Sequence, residues 1–234
     1  MSLGHGASIV RDGLVLCLDA ANPKSYPGSG TVWSDLSGNS NNGTLINGPT
    51  YDSGNSGSLV FDGVNDYGRI TSTPLNAGTF AYTNITVNLW FKPLSSYSGT
   101  NQINNLITVE ESFEISVGDI GNGYSSLQYA SNPWGWYGTS TNTLVNNQWN
   151  MVTFVHATTG RWLYTNGVQV FYRGDAGNVA AGNATYPYLT LMARASGNSS
   201  LAEGNLSSVQ LYNRALSSTE IQQNFNATRS RYGI

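Results

Sequence analysis

The chain has 234 residues, 10 Lys plus Arg against 13 Asp plus Glu, a net charge of -3, and 10% charged residues, where about 25% is usual. A disordered chain is excluded by 39% hydrophobic and 12% aromatic content. Without basic surface or an apolar run of membrane length, neither nucleic acid nor membrane insertion is expected. In place of charge stand 27 Gly and abundant Asn, Ser and Thr, which favour turns and exposed strand faces over helices. The expectation is one all-β domain over residues 1–234, with residues 1–9 as an N-terminal arm. The opening Met1-Ser2-Leu3-Gly4-His5-Gly6 lacks the basic and apolar regions of a signal peptide.

Leu14 to Asp19 is apolar on nearly both faces and predicts an inner strand containing the single cysteine, Cys17, as a small buried hydrophobe. Residues 22–57 are rich in Pro and Gly and predict loops with short strands around Trp33 and Leu45. Ser58 to Asp62 and Tyr67 to Ile70 flank a turn at Gly63-Val64-Asn65-Asp66 and predict a hairpin with Leu59 and Phe61 inward. From Asn84 to Pro93 the alternation of Ile85, Val87, Leu89 and Phe91 with polar neighbours predicts a strand with one buried face. Further strands are predicted at 106–110, 113–117, 127–130, 149–157, 189–193 and 206–212. Asn166-Gly167 between two alternating runs predicts a two-residue type I′ hairpin. The one predicted helix starts at a capping box, Ser217 with Glu220, and buries Ile221 and Phe225. Short strands with no βαβ alternation predict a two-sheet antiparallel sandwich of jelly-roll type.

Five segments carry a resemblance through their order and spacing: Trp33-Ser34-Asp35-Leu36-Ser37-Gly38-Asn39, Asn42-Gly43-Thr44-Leu45, Ser58 to Tyr67, Leu163-Tyr164-Thr165-Asn166-Gly167, and Val209 to Ile221. Over roughly residues 10–232 the chain resembles laminin-G-like domains of the concanavalin A-like lectin/glucanase superfamily. The resemblance implies a jelly roll with one concave sheet. The opening Ile9 to Val15 before Asp19-Ala20-Ala21-Asn22 also resembles structural proteins of tailed bacteriophages, those of cyanobacteria in particular.

The resemblance implies, for retaining glycosidases of the superfamily, a Glu-x-Asp-x-(x)-Glu strand that sets nucleophile and acid on one sheet face with carboxyl groups about 5 Å apart. The nearest stretch, Glu110 to Asp119, has Ser112 in the middle position and no third carboxylate at the needed spacing, so no catalytic residue is assigned. His156 is read as structural or exposed. No cofactor is expected, with calcium as the exception to be tested: Asn65 with Asp66, and Glu110 with Glu111, are the candidate ligands, against the reading of an ordinary turn and a solvated strand end. Tyr124, Gln128, Tyr129, Asn132, Trp134, Trp136 and Tyr137 form an aromatic and amide cluster suited to a neutral sugar. The same rings also suit a subunit interface or the core.

The function expected from these readings is that of a non-enzymatic virion structural protein, a capsid decoration or fibre component. It would be assembled in the host cytoplasm, homo-oligomeric, in contact with other virion proteins and adherent to cell-surface glycans. The alternatives are a free-standing carbohydrate-binding module and, third, a glycoside hydrolase.

Overall fold

In a computed structural model describing residues 8–72, 74–75, 80, 82–94, 103–119, 125–131, 136–139, 143–174, 185–194 and 199–234, the short alternating runs become strands. In chain order these are β1 (Leu14–Asp19), β2 (Val32–Trp33), β3 (Gly43–Ile46), β4 (Thr50–Asp52), β5 (Ser58–Asp62), β6 (Tyr67–Ile70), β7 (Ile85–Pro93) and β8 (Ile103–Val109). They continue as β9 (Phe113–Asp119), β10 (Ser125–Ser131), β11 (Trp136–Gly138), β12 (Asn150–Ala157), β13 (Gly160–Thr165), β14 (Val168–Arg173), β15 (Leu189–Leu191) and β16 (Glu203–Tyr212). The helix α1 (Ser218–Thr228) follows, and a 3₁₀ turn at Arg229–Tyr232 ends the described chain.

Two antiparallel sheets result. The first runs β14-β13-β12-β7-β16-β5-β4, with β1 also paired to β16; the second runs β11-β10-β9-β8-β15-β6-β3-β2. Their inner faces meet in one core that includes Leu16, Trp33, Phe61, Leu89, Ile107, Phe113, Tyr129, Phe154 and Leu191. Burying a large apolar side chain contributes about 1.5–3 kcal/mol, and this core is the main source of stability.

Three expectations change. β5 and β6 do not form a hairpin: β5 pairs with β4 and β16, whereas β6 pairs with β3 and β15 in the other sheet. The Asp62 carboxylate accepts N–H bonds from Val64, Asn65 and Asp66 at 2.8, 3.2 and 3.4 Å, and this turn carries the chain between sheets. Leu59 and Phe61 are buried as expected.

β1 is paired on one side only, to β16. Its other edge is closed by the loop carrying the first resemblance segment. Asp35 Oδ1 accepts from the Cys17 and Ser37 N–H groups at 2.8 and 2.9 Å, and Oδ2 accepts from the Asn41 N–H at 3.0 Å. The Leu36 N–H in turn donates to the Cys17 carbonyl at 2.8 Å. An exposed strand edge is a template for aggregation, and this loop covers it. Cys17 is buried, and burial pushes its thiol up to about 12, so it behaves as a small hydrophobe.

β7 is buried on both faces, not one. Its outer face meets α1: the Trp90 ring stacks on Tyr232 at 4.0 Å and on Phe225 at 6.0 Å, and its Nε1–H donates to Thr228 Oγ1 at 2.9 Å. Trp149, Met151, Tyr212, Leu216 and Ile221 complete this second cluster. The capping box is formed as expected, with Ser217 Oγ accepting from the Glu220 N–H and the Glu220 carboxylate accepting from the Ser217 N–H. Arg231 pairs with Asp19 at 2.8 and 3.0 Å and ties the C-terminal turn to β1. His156 is fully buried, edge-on to Phe154 at 6.2 Å, and is structural.

Candidate sugar-binding face

Strand register places one row of residues across the outer face of the second sheet. It runs from Val32 through Thr44, Arg69, Thr190, Thr108 and Glu114 to Ala130, each the cross-strand partner of the next. Because side chains alternate along a strand, these positions face away from the core that Leu45, Ile70, Leu189, Ile107 and Ile115 fill. A parallel row joins Asn105, Ser116, Gln128 and Gly138.

The centre of this face is a buried polar network. Asn105 Nδ2 donates to Thr108 Oγ1 at 2.8 Å and to Glu114 Oε2 at 2.9 Å, while Ser116 Oγ donates to Asn105 Oδ1 at 3.0 Å. The Arg194 guanidinium bridges two carboxylates, Glu110 at 2.9 Å and Glu114 at 3.2 Å. Desolvation raises the Glu114 carboxyl above the ordinary glutamate range and the charge of Glu110 raises it further, against the Asn105 hydrogen bond and Arg194. Glu110 lies in the turn after β8, so Glu110 and Glu114 do not share one strand; Arg194 brings them together.

Toward β6 the face is aromatic and cationic. Arg69 lies over the Tyr188 ring at 4.1 Å and over Tyr67 at 5.4 Å, and its Nη2 donates to the Tyr67 hydroxyl at 2.8 Å. Among the described residues its buried Nε–H has no hydrogen-bond partner, and ring stacking holds the guanidinium in place. Sequence reasoning missed this trio; the signal was the outward position of Tyr67 and Arg69 on a strand whose alternate residues, Gly68 and Ile70, face the core.

The aromatic cluster expected from sequence is divided. Tyr129 is fully buried in the core, 5.1 Å from Phe154, and Tyr137 packs beside it at 5.6 Å with the Arg173 guanidinium 3.6 Å above its ring. These two serve the inner face because they pair with each other across β10 and β11 at the core-facing register. Gln128 stands on the outer face, where its Nε2 donates to Ser126 Oγ at 3.2 Å. Trp136 is the ladder partner of Ala130. Tyr124, Asn132 and Trp134 lie outside the described residues.

The calcium candidates fall in two separate turns. The Asp66 carboxylate accepts from the Asp62 N–H at 3.4 Å and is raised by desolvation and by the charge of Asp62. The Asn65 carbonyl accepts from Asn47 at 2.7 Å. Glu110 is committed to Arg194, and Glu111 is exposed with φ 62°. Among the described residues no three His, Cys, Asp or Glu side chains group as a metal site.

Solved structures with the same fold are similar over nearly the whole chain. Domain 4 of a GH43 extracellular arabinanase from Geobacillus stearothermophilus, solved with arabinotriose, is 19% identical at a TM-score of 0.65 and covers 90% of this chain and 97% of that one. The binding domain of paraclostridial mosquitocidal protein 1 is 18% identical at 0.69, over 93% of this chain and 52% of that one. Trypanosoma rangeli sialidase in complex with sialic acid is 17% identical at 0.64, over 94% of this chain and 33% of that one. No curated protein sequence matches the chain. The model of the Concanavalin A-like lectin/glucanases superfamily matches residues 61–222, more than half of the chain, from the end of β5 into α1. With two antiparallel sheets and a polar outer face in place, that match makes the chain a member of the concanavalin A-like lectin/glucanase superfamily.

Proposed function

We propose that this chain is a non-catalytic carbohydrate-binding module that contacts glycans on the outer face of its second sheet. The observation that carries the reading is Arg69, laid on Tyr188 and tied to Tyr67, with the Arg69 and Tyr188 side chains both half-buried at the face. A sugar offers an apolar ring face for stacking and hydroxyls for hydrogen bonds, and this trio supplies both partners. The arabinotriose in the arabinanase domain, which this chain covers at 97% of its length, supports the same ligand class. The shared guanidinium on Glu110 and Glu114 supports a binding role over glycoside hydrolysis, because both carboxylates are engaged in a structural ion pair.

The test is a glycan array probed with the multimerised protein, with and without calcium, alongside Arg69→Ala. Binding by the parent that falls about tenfold in the variant is the expected result, the loss of one cation–π or charge-assisted contact being worth about 1–2 kcal/mol. Absence of binding to every glycan overturns the lectin reading, and release of reducing ends from polysaccharides overturns the non-catalytic one. The finer reading, an adhesin of a phage particle, is supported by the opening segment Ile9 to Val15. Many copies on one particle would raise weak binding by about 10²–10⁴. Its check is mass spectrometry of purified particles; absence there removes the virion placement and leaves the module.

A further inference from the structure

The opposite side of the sandwich carries a second aromatic surface. On the outer face of the first sheet Trp162 of β13 and Tyr172 of β14 are cross-strand partners. Their rings stack with centroids 5.2 Å apart and planes 30° apart, and Tyr172 is 53% exposed. A Cβ at Gly160 would stand 2.9 Å from the Tyr172 ring and 3.2 Å from the Trp162 ring, and one at Gly174 would stand 2.9 Å from the Tyr172 hydroxyl. The two glycines leave the room that this stacked pair occupies.

Trp162, with Tyr172 stacked on it, lines a cleft of about 350 Å³ together with Tyr164, Gln169 and Ser218. Ser218 is shared with an open groove of about 600 Å³ along α1, where Gln222 lies against the Asn166-Gly167 turn. Ligand sites commonly occupy about 300–1,000 Å³. None of the described residues lining either space is charged. An ionic ligand would find no counter-charge here, and a purely apolar one would leave the amides and hydroxyls unpaired.

We infer that this groove is a second glycan site, selective for an uncharged oligosaccharide, with one sugar ring against the free face of the stacked Trp162–Tyr172 pair and the next units running along α1 over Ser218 and Gln222. The assignment rests on the carbohydrate-binding reading for its ligand class, but its residues lie on the other sheet. With both faces occupied the module is bivalent within one chain and bridges two glycans, one on each side of the sandwich.

The experiment follows the six tryptophan indole N–H signals by ¹H–¹⁵N NMR. The full chain is titrated with arabinotriose, cellotriose, mannotriose and any neutral sugar scoring on the array, with sialyllactose as the charged control. Trp162→Ala assigns its signal. The expected result is a saturable shift of the Trp162 signal by a neutral sugar, weakened about tenfold or more in Tyr172→Ala, with unchanged shift in Arg69→Ala. Tyr172→Phe, which keeps the ring, retains most of the binding and controls for misfolding. Binding that survives Tyr172→Ala but is lost in Arg69→Ala overturns the groove and leaves the module intact. No binding of any sugar by array or NMR overturns both. A Trp162 signal that moves only with sialyllactose overturns the neutral selectivity. A signal that moves only with protein concentration, with dimerisation abolished in Tyr172→Ala, assigns the rings to a contact between copies and overturns the proposal.

Discussion

At the scale of single residues, the charges that remain in this chain hold structure together. Asp35 accepts from three backbone N–H groups and from the Ser37 hydroxyl at 2.7 Å, and these bonds close the free edge of β1. Hydrogen bonds to a charged group contribute about 1.5–3 kcal/mol each, so Asp35→Ala should cost about 2–4 kcal/mol in urea unfolding, after allowing for water re-solvating the loop. A loss under 1 kcal/mol would show that the loop does not protect the edge. Glu114 acts in the opposite sense. Its folded carboxyl lies above the ordinary value of 4.5, so the folded state binds more protons than the unfolded one above that pH, and its contribution falls as pH rises through the window. Glu114→Gln should therefore gain on the parent in thermal unfolding as the pH is raised from 4 to 7, with Arg194 still held by Glu110. A constant difference across that range would mean that Glu114 titrates normally.

At the scale of elements, α1 is specified locally and positioned globally. Its start was readable because the capping box needs only Ser217 and Glu220; Ser217→Ala should cost about 0.5–2 kcal/mol, measured by thermal melts at pH 7. Arg214 holds Glu220 at 2.6 and 3.1 Å and, first through that hydrogen bond, lowers the Glu220 carboxyl to about 2. The stabilisation is fully present above pH 4.5 and is lost as the pH falls toward 2. Glu220→Gln should consequently melt below the parent at pH 7 and with it at pH 2; a gap that persists at pH 2 would assign the effect to packing. The helix's landing place was not legible, because Trp90 alternates along β7 with the core residues and shares its face with Thr86, Asn88 and Lys92; Phe225 and Tyr232 cover it from the far end of the chain.

The β13–β14 hairpin shows how one residue redirects a surface. Asn166 and Gly167 both take positive φ, 52° and 79°, as the type I′ turn requires. Unbroken register from that turn would set Trp162 opposite Phe171. A bulge shifts it by one, so that Leu163 meets Phe171 at the core and Trp162 meets Tyr172 outside. The aromatic platform thus depends on a bulge that no periodicity announces.

At the scale of the whole molecule, the low charge has a physical counterpart in two outer faces of different character. One carries Arg69, Arg194 and the Glu110–Glu114 pair; the other is an uncharged groove beside α1. If both bind glycans, a variant lacking the two together, Arg69→Ala with Tyr172→Ala, should lose retention on a glycan surface by more than either alone. Surface plasmon resonance at low and high ligand density would show it. Equal loss in single and double variants would reduce the molecule to one site.

Most strands, the type I′ hairpin, the capped helix and the superfamily resemblance were legible in the chain, because alternation, turn chemistry and capping act between residues close in sequence; β4 and β11, three residues each, were too short to show alternation. Its five resemblance segments include residues that prove structural: Asp35 closes an edge, Asn166-Gly167 turns a hairpin, and the Tyr212 hydroxyl donates to the Val10 carbonyl at 3.0 Å while accepting from Asn224 at 3.1 Å. Strand pairing places β5 and β6 in different sheets, turns Tyr129 and Tyr137 inward, and brings Arg69 to Tyr188 and Trp162 to Tyr172. Those outcomes depend on pairing between strands far apart in the chain and on single-residue register shifts, each of which turns a side chain from one face of a sheet to the other.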